Sequence, residues 1–279
     1  MSAQQFEADD GTAIHVRTLG AGPPLVFLHG WTSSHAEWLP YAEALADGHR
    51  CYCWDARGHG GHPLRDGETP SLPRMARDLM NLIEHFALQR PILLGHSMGA
   101  LTCWEHIRQF GDAHLAKLVL VDQSPRLLTD DDWAHGIYGD FDAARNADFI
   151  ARLESDFAEA VLRLAADGHN PRARDNYARN STGFQRVREQ LRELPPEPLI
   201  EVWKTLATAD YRDLLAQIHL PTLLVHGDQS QFYSVELAEW VRDAMPAAQL
   251  HVYAGTDHSP HLWQRERFIA DLRRFTAAD

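Results

Sequence analysis

Four short runs of consecutive apolar residues constrain the fold of this chain more than any other feature. They lie at 24–28, 91–94, 118–121 and 221–225, and longer amphipathic stretches separate them. A strand that is apolar on both faces is buried on both faces, as in a parallel sheet covered by helices. The alternation therefore predicts an α/β fold with a doubly wound, mostly parallel sheet.

Weaker patterns complete this sheet and its helices. Further strands are predicted at 13–17, 50–55 and 249–253, and helices at 38–46, 72–86, 98–110, 235–245 and 262–275. Cys51 and Cys53 stand two apart in one predicted strand, so their side chains point to the same face. We expect them and Cys103 to be reduced, buried cysteines, because so close a pair is poorly placed for a disulfide.

The strand pattern is interrupted between residues 126 and 217. This stretch is rich in Arg, Asp, Ala and Glu, with an amphipathic helix predicted at 149–165 and a proline-rich breaker at 195–198 before another helix. It is too long for an ordinary loop. We predict a helical cap at 126–217, inserted between strands of a core formed by 1–125 and 218–279.

The charge of the chain limits its partners. Its formal net charge is -13 over 279 residues, which disfavours nucleic acid and anionic membranes, since both attract clustered Lys and Arg. The first residues lack the basic and apolar regions of a secretory signal, and no apolar run is long enough to span a bilayer. We expect a soluble, cytoplasmic protein whose oligomeric state the sequence does not indicate.

The strongest chemical signal is a Gly-His-Ser-Met-Gly motif at 95–99, between a buried strand and a predicted helix. In that context the motif is a nucleophile elbow, whose tight turn needs small flanking residues and lifts the serine hydroxyl out at the carboxyl edge of the sheet. The helix that follows favours developing negative charge. Ser97 is the candidate nucleophile.

A nucleophilic serine of this kind needs two N–H donors for the oxyanion that forms during acyl transfer. One comes from the residue after the nucleophile, here Met98. The other comes from the loop after an earlier strand, where His-Gly-Trp at 29–31 follows the strand 24–28. The backbone N–H of Trp31 is the candidate for that second donor.

The serine also needs an adjacent base. The chain has 17 histidines, so only position makes one of them specific. His258 lies in the loop after the last predicted strand, directly after a Gly-Thr-Asp turn, and is the candidate base. His261 follows three residues later, where we expect the final helix to begin.

These stretches, together with Asp-Ala-Arg-Gly-His-Gly at 55–60, resemble the α/β-hydrolase superfamily. The resemblance covers nearly the whole chain and places the helical insertion where the family carries its cap. In the stretch at 55–60, it implies that Arg57 and His59 support the fold.

The acid of the triad departs from the usual pattern of the family. In this superfamily the acid precedes the histidine along the chain, commonly two residues beyond the first Asp of a Gly-Asp-x-Asp turn, but here that position holds Ser230. Val-Asp-Gln-Ser-Pro at 121–125 resembles a bacterial esterase subfamily whose acid lies one strand beyond the nucleophile. The resemblance implies Asp122 as the acid and Ser230 as an auxiliary partner. Asp228 is the alternative acid, its other role being to shape its turn.

The resemblance implies a serine esterase that acts on a small-molecule ester, and the same apparatus would cleave thioesters and activated amides. The alternative is a cofactor-independent oxygenase or a perhydrolase of the same fold, called a non-haem peroxidase, that uses the His258–Asp122 pair. We expect no metal, since His59 and His62 have no accompanying ligand cluster. No phosphate-binding glycine motif follows a strand, so we expect no nucleotide cofactor.

Overall fold

Residues 2–65 and 67–277 are described by a computed structural model, and eight strands within them form one sheet. The strands are β1 (Ser2–Glu7), β2 (Ala13–Leu19), β3 (Pro24–Leu28), β4 (Arg50–Asp55), β5 (Ile92–His96), β6 (Lys117–Val121), β7 (Thr222–Gly227) and β8 (Ala248–Tyr253). Their order is β1-β2-β4-β3-β5-β6-β7-β8. β2 is antiparallel to both of its neighbours, and the pairs from β4 to β8 are parallel. The predicted α/β fold with a mostly parallel sheet is confirmed.

The first strand was not predicted from the sequence. In β1 only Phe6 is buried, while Ser2, Ala3, Gln5 and Glu7 are exposed. An edge strand with one inward side chain has no hydrophobic pattern to detect. It is held by its antiparallel pairing with β2, from Ser2↔Thr18 to Glu7↔Ala13.

Helices cover both faces of the sheet. They are α1 (Leu39–Leu45), α2 (Leu72–His85), α3 (Met98–Phe110), α4 (Ala143–Ser155), α5 (Phe157–Ala166), α6 (Pro171–Ala178), α7 (Thr182–Arg192), α8 (Pro196–Thr208), α9 (Val235–Ala244), α10 (Pro260–Trp263) and α11 (Arg265–Ala277). In the part of the chain that the structure describes, no helix is long and apolar enough to cross a membrane.

Two helices that the sequence predicts as continuous are each divided into two in the structure. The helix expected at 149–165 is divided at Asp156, which has an extended φ of −149° and accepts the N–H of Glu159 at 3.1 Å. An aspartate in this role begins a new helix because it satisfies a free N–H at the helix start. The helix expected at 262–275 begins earlier, at Pro260, and is interrupted at Gln264.

The helices α4 to α8 lie between β6 and β7, within the stretch 126–217 that the sequence predicts as a cap. Arg126, at the beginning of this stretch, and Asp210, near its end, form an isolated antiparallel bridge. Beside it, Tyr211 N–H donates to the carbonyl of Pro125 at 3.0 Å. The division into a core and a cap at these positions stays our interpretation of this arrangement.

The alternation of side chains along the central strands builds two hydrophobic cores, one on each face of the sheet. Val26 and Leu28 belong to one core, and Leu25 and Phe27 to the other. This explains why β3 is apolar at consecutive positions. Cys51 and Cys53 both lie in the second core, and they and Cys103 are buried and free.

The stretch at 55–60 supports the fold, as the resemblance implied. Arg57 is buried and pairs in bidentate fashion with Asp78 at 2.8 Å for both bonds, and with Asp10 at 2.8 Å. In the same region His59 is buried, and Nε2 of His62 lies 2.9 Å from a carboxylate oxygen of Asp55.

Candidate active site

Ser97 sits at a strained turn between β5 and α3. Its φ is 52° and its ψ −116°, a conformation that a residue with a side chain rarely adopts outside functional sites. A Cβ on Gly99 would lie 2.1 Å from the carbonyl oxygen of Leu28, and one on Gly95 would lie 2.4 Å from Gly99. Only glycine fits at these two positions, so the flanking residues of the motif are dictated by the close approach of β3, β5 and α3.

Asp122 is the residue directly after β6 and is buried beneath the carboxyl edge of the sheet. Its backbone has a φ of 47°, and its N–H donates to the carbonyl of Val225 at 2.9 Å. Its Oδ1 lies 2.8 Å from Nδ1 of His258. The structure therefore brings together the acid and the base that the sequence favours.

The carboxylate of Asp122 has three hydrogen-bonding partners and a further close contact with His226. Oδ1 is shared by His258 and the hydroxyl of Ser230, which donates at 2.8 Å. Oδ2 accepts the N–H of Gly227 at 3.0 Å and lies 3.2 Å from Nδ1 of His226. Burial alone would raise the pKa of Asp122, but His226, His258 and Gly227 outweigh it and hold the pKa below its ordinary value. Asp122 is thus kept as an anion.

His226 is a partner of Asp122 that sequence reasoning missed. It stands at the end of β7, next to the turn in which the acid was sought, and its only signal is that position. The sequence alternative, Asp228, is exposed and accepts the N–H of Gly255 at 2.6 Å. Asp228 therefore contacts the turn before His258 and not its imidazole.

His258 is held from its backbone as well as from its ring. Its N–H donates to Oε1 of Gln231 at 2.9 Å, and the ring of Phe232 packs edge-on at 4.6 Å between centroids. Burial lowers the pKa of His258, and Asp122 offsets this only in part. The imidazole is therefore neutral at neutral pH, which is the form that accepts a proton.

Trp31 and Met98 border the same cavity as Ser97 and His258. Met98 begins α3, where backbone N–H groups have no partner within the helix. The loop before Trp31 lies against the elbow, since a Cβ on Gly30 would be 3.6 Å from Cβ of Ser97. The indole N–H of Trp31 donates to the carbonyl of Leu199 at 2.9 Å, which connects this loop to α8.

The cavity has a volume of about 890 Å³ and extends from Ser97 beneath the helices α5, α7 and α8. Its walls are mainly apolar and include Leu127, Ile137, Val161, Leu164, Leu191 and Trp203. Trp203 lines the cavity and packs on the ring of Phe149, with 4.8 Å between the ring centroids. Trp133 and Phe141 are buried within the cap stretch.

Behind the elbow lies a second polar cluster that the sequence did not reveal. Nδ1 of His96 is 2.7 Å from Oε1 of Glu37, and Nε2 of His261 is 3.1 Å from the same oxygen. Among the described residues, this is the one group of three or more such side chains with potential ligand atoms within 4.8 Å of one another. Because these atoms already contact each other at hydrogen-bond distances, the cluster is a hydrogen-bond network. His96 and His261 lie 59 and 224 positions after Glu37 in the sequence, so no local sequence pattern connects the three residues.

Comparison with known proteins finds relatives over nearly the whole chain. The chain is 27% identical over 272 residues to a pimeloyl-[acyl-carrier protein] methyl ester esterase of Vibrio campbellii, covering 95% of this chain and 99% of the relative. An esterase from Exiguobacterium antarcticum superposes with a TM-score of 0.85 at 24% identity, covering 99% of this chain and 100% of that one. A bromoperoxidase from Bacillus anthracis superposes with a TM-score of 0.86 at 22% sequence identity, again covering 99% of this chain and 100% of that one.

At these identities the solved structures bear on the fold alone, and the family assignment rests on the sequence. Residues 23–264, which include the elbow, Asp122 and His258, match the family described as alpha/beta hydrolase fold. The chain belongs to the alpha/beta hydrolase fold family.

Proposed function

We propose that this protein is a serine esterase that cleaves carboxylic esters through an acyl-enzyme on Ser97. The observation that carries the proposal is the 2.8 Å contact between His258 Nδ1 and Asp122 Oδ1, with Ser97 on a strained elbow that borders the same cavity. Relatives named as methyl ester esterases support the same reaction class. The triad roles below are part of the proposal.

In the first half of the reaction, Nε2 of His258 accepts the proton of the Ser97 hydroxyl. Oγ of Ser97 attacks the ester carbonyl carbon, and the carbonyl oxygen becomes an oxyanion held by the N–H groups of Trp31 and Met98. His258 then gives its proton to the departing alcohol. In the second half, His258 activates a water that attacks the acyl-enzyme and releases the acid.

Asp122 acts through His258. By accepting a hydrogen bond from the Nδ1–H group, it keeps Nε2 free to act as the base and stabilises the imidazolium that forms. Ser230 is an auxiliary residue, since its hydroxyl donates to the same oxygen of Asp122 and orients it. Asp228 is assigned to its turn.

The cavity favours esters of neutral, apolar acids. Its walls carry leucine, isoleucine, valine and tryptophan side chains, and no Lys or Arg lines it within the described residues. A carboxylate at the far end of the acyl chain would be desolvated among these apolar side chains, with no Lys or Arg among the described lining residues to pair with. We therefore assign a small ester with an uncharged acyl group as the substrate class, and thioesters of such groups fit the same chemistry.

The test is hydrolysis of p-nitrophenyl acetate, butyrate and octanoate, together with fluorophosphonate labelling read by intact mass. The wild type is expected to turn over these esters and take up one label, and Ser97→Ala is expected to lose both. Ser181→Ala is the matched control, because this hydroxyl at the start of α7 caps no backbone N–H. The chain length with the highest kcat/KM then measures the usable depth of the cavity.

A folded wild type that neither labels nor hydrolyses these esters would contradict the esterase proposal. It would favour the cofactor-independent oxygenase or perhydrolase alternative, in which the His258–Asp122 pair acts without acylation of Ser97. The cytoplasmic location also stays a prediction, which cell fractionation would test.

A further inference from the structure

The carboxylate of Glu37 is almost fully enclosed, with 7% of its side chain exposed. Its Oε1 receives His96 Nδ1 at 2.7 Å and His261 Nε2 at 3.1 Å. Its Oε2 accepts the backbone N–H of Gly30 at 3.1 Å. Three donors from three different segments thus converge on one buried carboxylate. A buried anion needs several such hydrogen bonds to offset its lost hydration.

His96 faces acceptors at both ring nitrogens. Nδ1 contacts Glu37, and Nε2 lies 3.0 Å from the backbone carbonyl oxygen of His258. A neutral imidazole can donate from only one nitrogen, whereas the doubly protonated ring donates from both. The geometry therefore matches an imidazolium paired with the Glu37 carboxylate.

The charges around His96 agree with this ionisation. Burial lowers the pKa of His96, but the nearby carboxylate of Glu37 outweighs it and the pKa is raised above 6.5. The other titratable groups that face it are His261 at 4.7 Å and His258 at 4.9 Å between ring centroids, and Asp122, whose charge also favours the imidazolium. Burial lowers the pKa of His261 to about 4, so that ring stays neutral.

The pair contacts three segments that carry groups of the proposed mechanism. Gly30 precedes Trp31, one of the oxyanion donors, His96 precedes the nucleophile Ser97, and the His258 carbonyl belongs to the residue that acts as base. We propose that Glu37 and His96 form a positioning pair that fixes the oxyanion loop, the elbow and the His258 loop relative to one another. This inference rests on the proposed esterase function.

The direct test is Glu37→Gln, which preserves the volume of the side chain and removes its charge. A shift of the three segments by about 1 Å would lower kcat by up to about 100-fold. The change in KM should stay within about twofold, since Glu37 belongs to the wall behind the elbow and not to the apolar walls that take the acyl chain. A loss that appears only in KM would overturn the proposal.

The pH profile separates positioning from a merely structural role. In the wild type, activity should fall on the alkaline side as His96 loses its second proton. Without the carboxylate, the pKa of His96 falls, so this loss should begin at a lower pH in Glu37→Gln. Glu43→Gln, an exposed glutamate in α1, is the matched control and should leave kcat and the profile unchanged. An unshifted alkaline limb in a well-folded Glu37→Gln would overturn the proposal.

A spectroscopic measurement keeps the proposal testable if Glu37→Gln fails to fold. In protein labelled with ¹⁵N-histidine, the ring of His96 should show both nitrogens protonated at pH 7, with the signals assigned through His96→Gln. A neutral ring at pH 7 would overturn the positioning pair. Failure of the wild type to hydrolyse any ester would contradict the proposed function instead, and would leave the ionisation of His96 measurable by itself.

Discussion

Oδ1 of Asp122 lies 2.8 Å from Nδ1 of His258, although 136 positions separate them along the chain. Asp122 follows β6 and His258 follows β8, and β7 lies between these two strands in the sheet. The carboxylate therefore reaches across the end of β7, where the N–H of Gly227 donates to its second oxygen at 3.0 Å. Position 227 has to be glycine, since a Cβ there would lie 2.1 Å from the carbonyl oxygen of Asp257.

This contact predicts the result of replacing Asp122 by Asn. The amide preserves the shape but can no longer accept from every donor around it, and it favours the wrong tautomer of His258. By analogy with other triads, kcat should fall by about 10⁴-fold. Steady-state kinetics on p-nitrophenyl butyrate, with circular dichroism to verify folding, would measure this loss.

Asp228→Asn is the matched control for that substitution. Its side chain is exposed and accepts the N–H of Gly255 in the turn. We expect kcat to remain within about threefold of the wild type, because the asparagine oxygen can still accept the N–H of Gly255 and the side chain does not contact the imidazole of His258. If Asp228→Asn were the more damaging change, the assignment of Asp122 as the acid would be wrong.

Ser230→Ala should have a smaller effect than the loss of Ser97, His258 or Asp122. The substitution removes one of two donors to Oδ1 of Asp122 and leaves the contact with His258 in place. We expect kcat/KM to fall by about tenfold, which corresponds to about 1.4 kcal/mol, close to the lower end of the range for a hydrogen bond to a charged group. A loss equal to that of Asp122→Asn would place Ser230 in the essential set.

The environment of His258 sets the acid side of the pH profile. His258 has to be neutral to accept a proton, and burial lowers its pKa below 6.5. Its neutral form therefore persists below pH 6.5, and kcat/KM should rise with pH through an apparent pKa lower than this value and be level at pH 7. Measurement of kcat/KM from pH 4.5 to 7.5 tests this, and a midpoint above 6.5 would contradict it.

Removing the charge of Asp122 should also shift the acid limb of the pH profile of kcat/KM. The carboxylate raises the pKa of His258 against the effect of burial. In Asp122→Asn that contribution is lost, so the residual activity should show its acid limb at a still lower pH. A limb that moves to higher pH would mean that another group controls the titration.

Two glycine substitutions should act on stability in opposite directions. Gly99→Ala would place a methyl group 2.1 Å from the carbonyl oxygen of Leu28, where neither backbone can move away freely. We expect a loss of about 3 kcal/mol in the free energy of unfolding, or failure to fold. Gly183→Ala, in α7 with open space around it, should instead stabilise the protein by about 0.5 kcal/mol. Urea denaturation of both variants compares them directly, and equal effects would contradict the steric account.

Much of the fold could be predicted because its signals are local. The strand β4 and the helix α3 have the bounds that the sequence predicts, since each is a run of suitable residues between clear breaks. The helix expected at 149–165 was wrong because a single capping residue, Asp156, divides an otherwise continuous apolar pattern. β1 was missed because its stability comes from pairing with β2 and not from its own composition.

The sequence alone determined the candidate nucleophile and base. A serine in a Gly-x-Ser-x-Gly motif between a buried strand and a helix has one stable geometry, and a histidine after the last strand lies at the same edge of the sheet. Contacts between distant segments were decided by the tertiary structure. The family resemblance had indicated Ser230 as a partner of the triad, but His226 was found next to Asp122 only in the folded chain. Likewise, only the packing behind the elbow joins Glu37 to His96. The physical reason is that periodicity and motifs report a residue's own neighbours, whereas hydrogen bonds across a sheet depend on strand order and burial, which the folded chain alone sets.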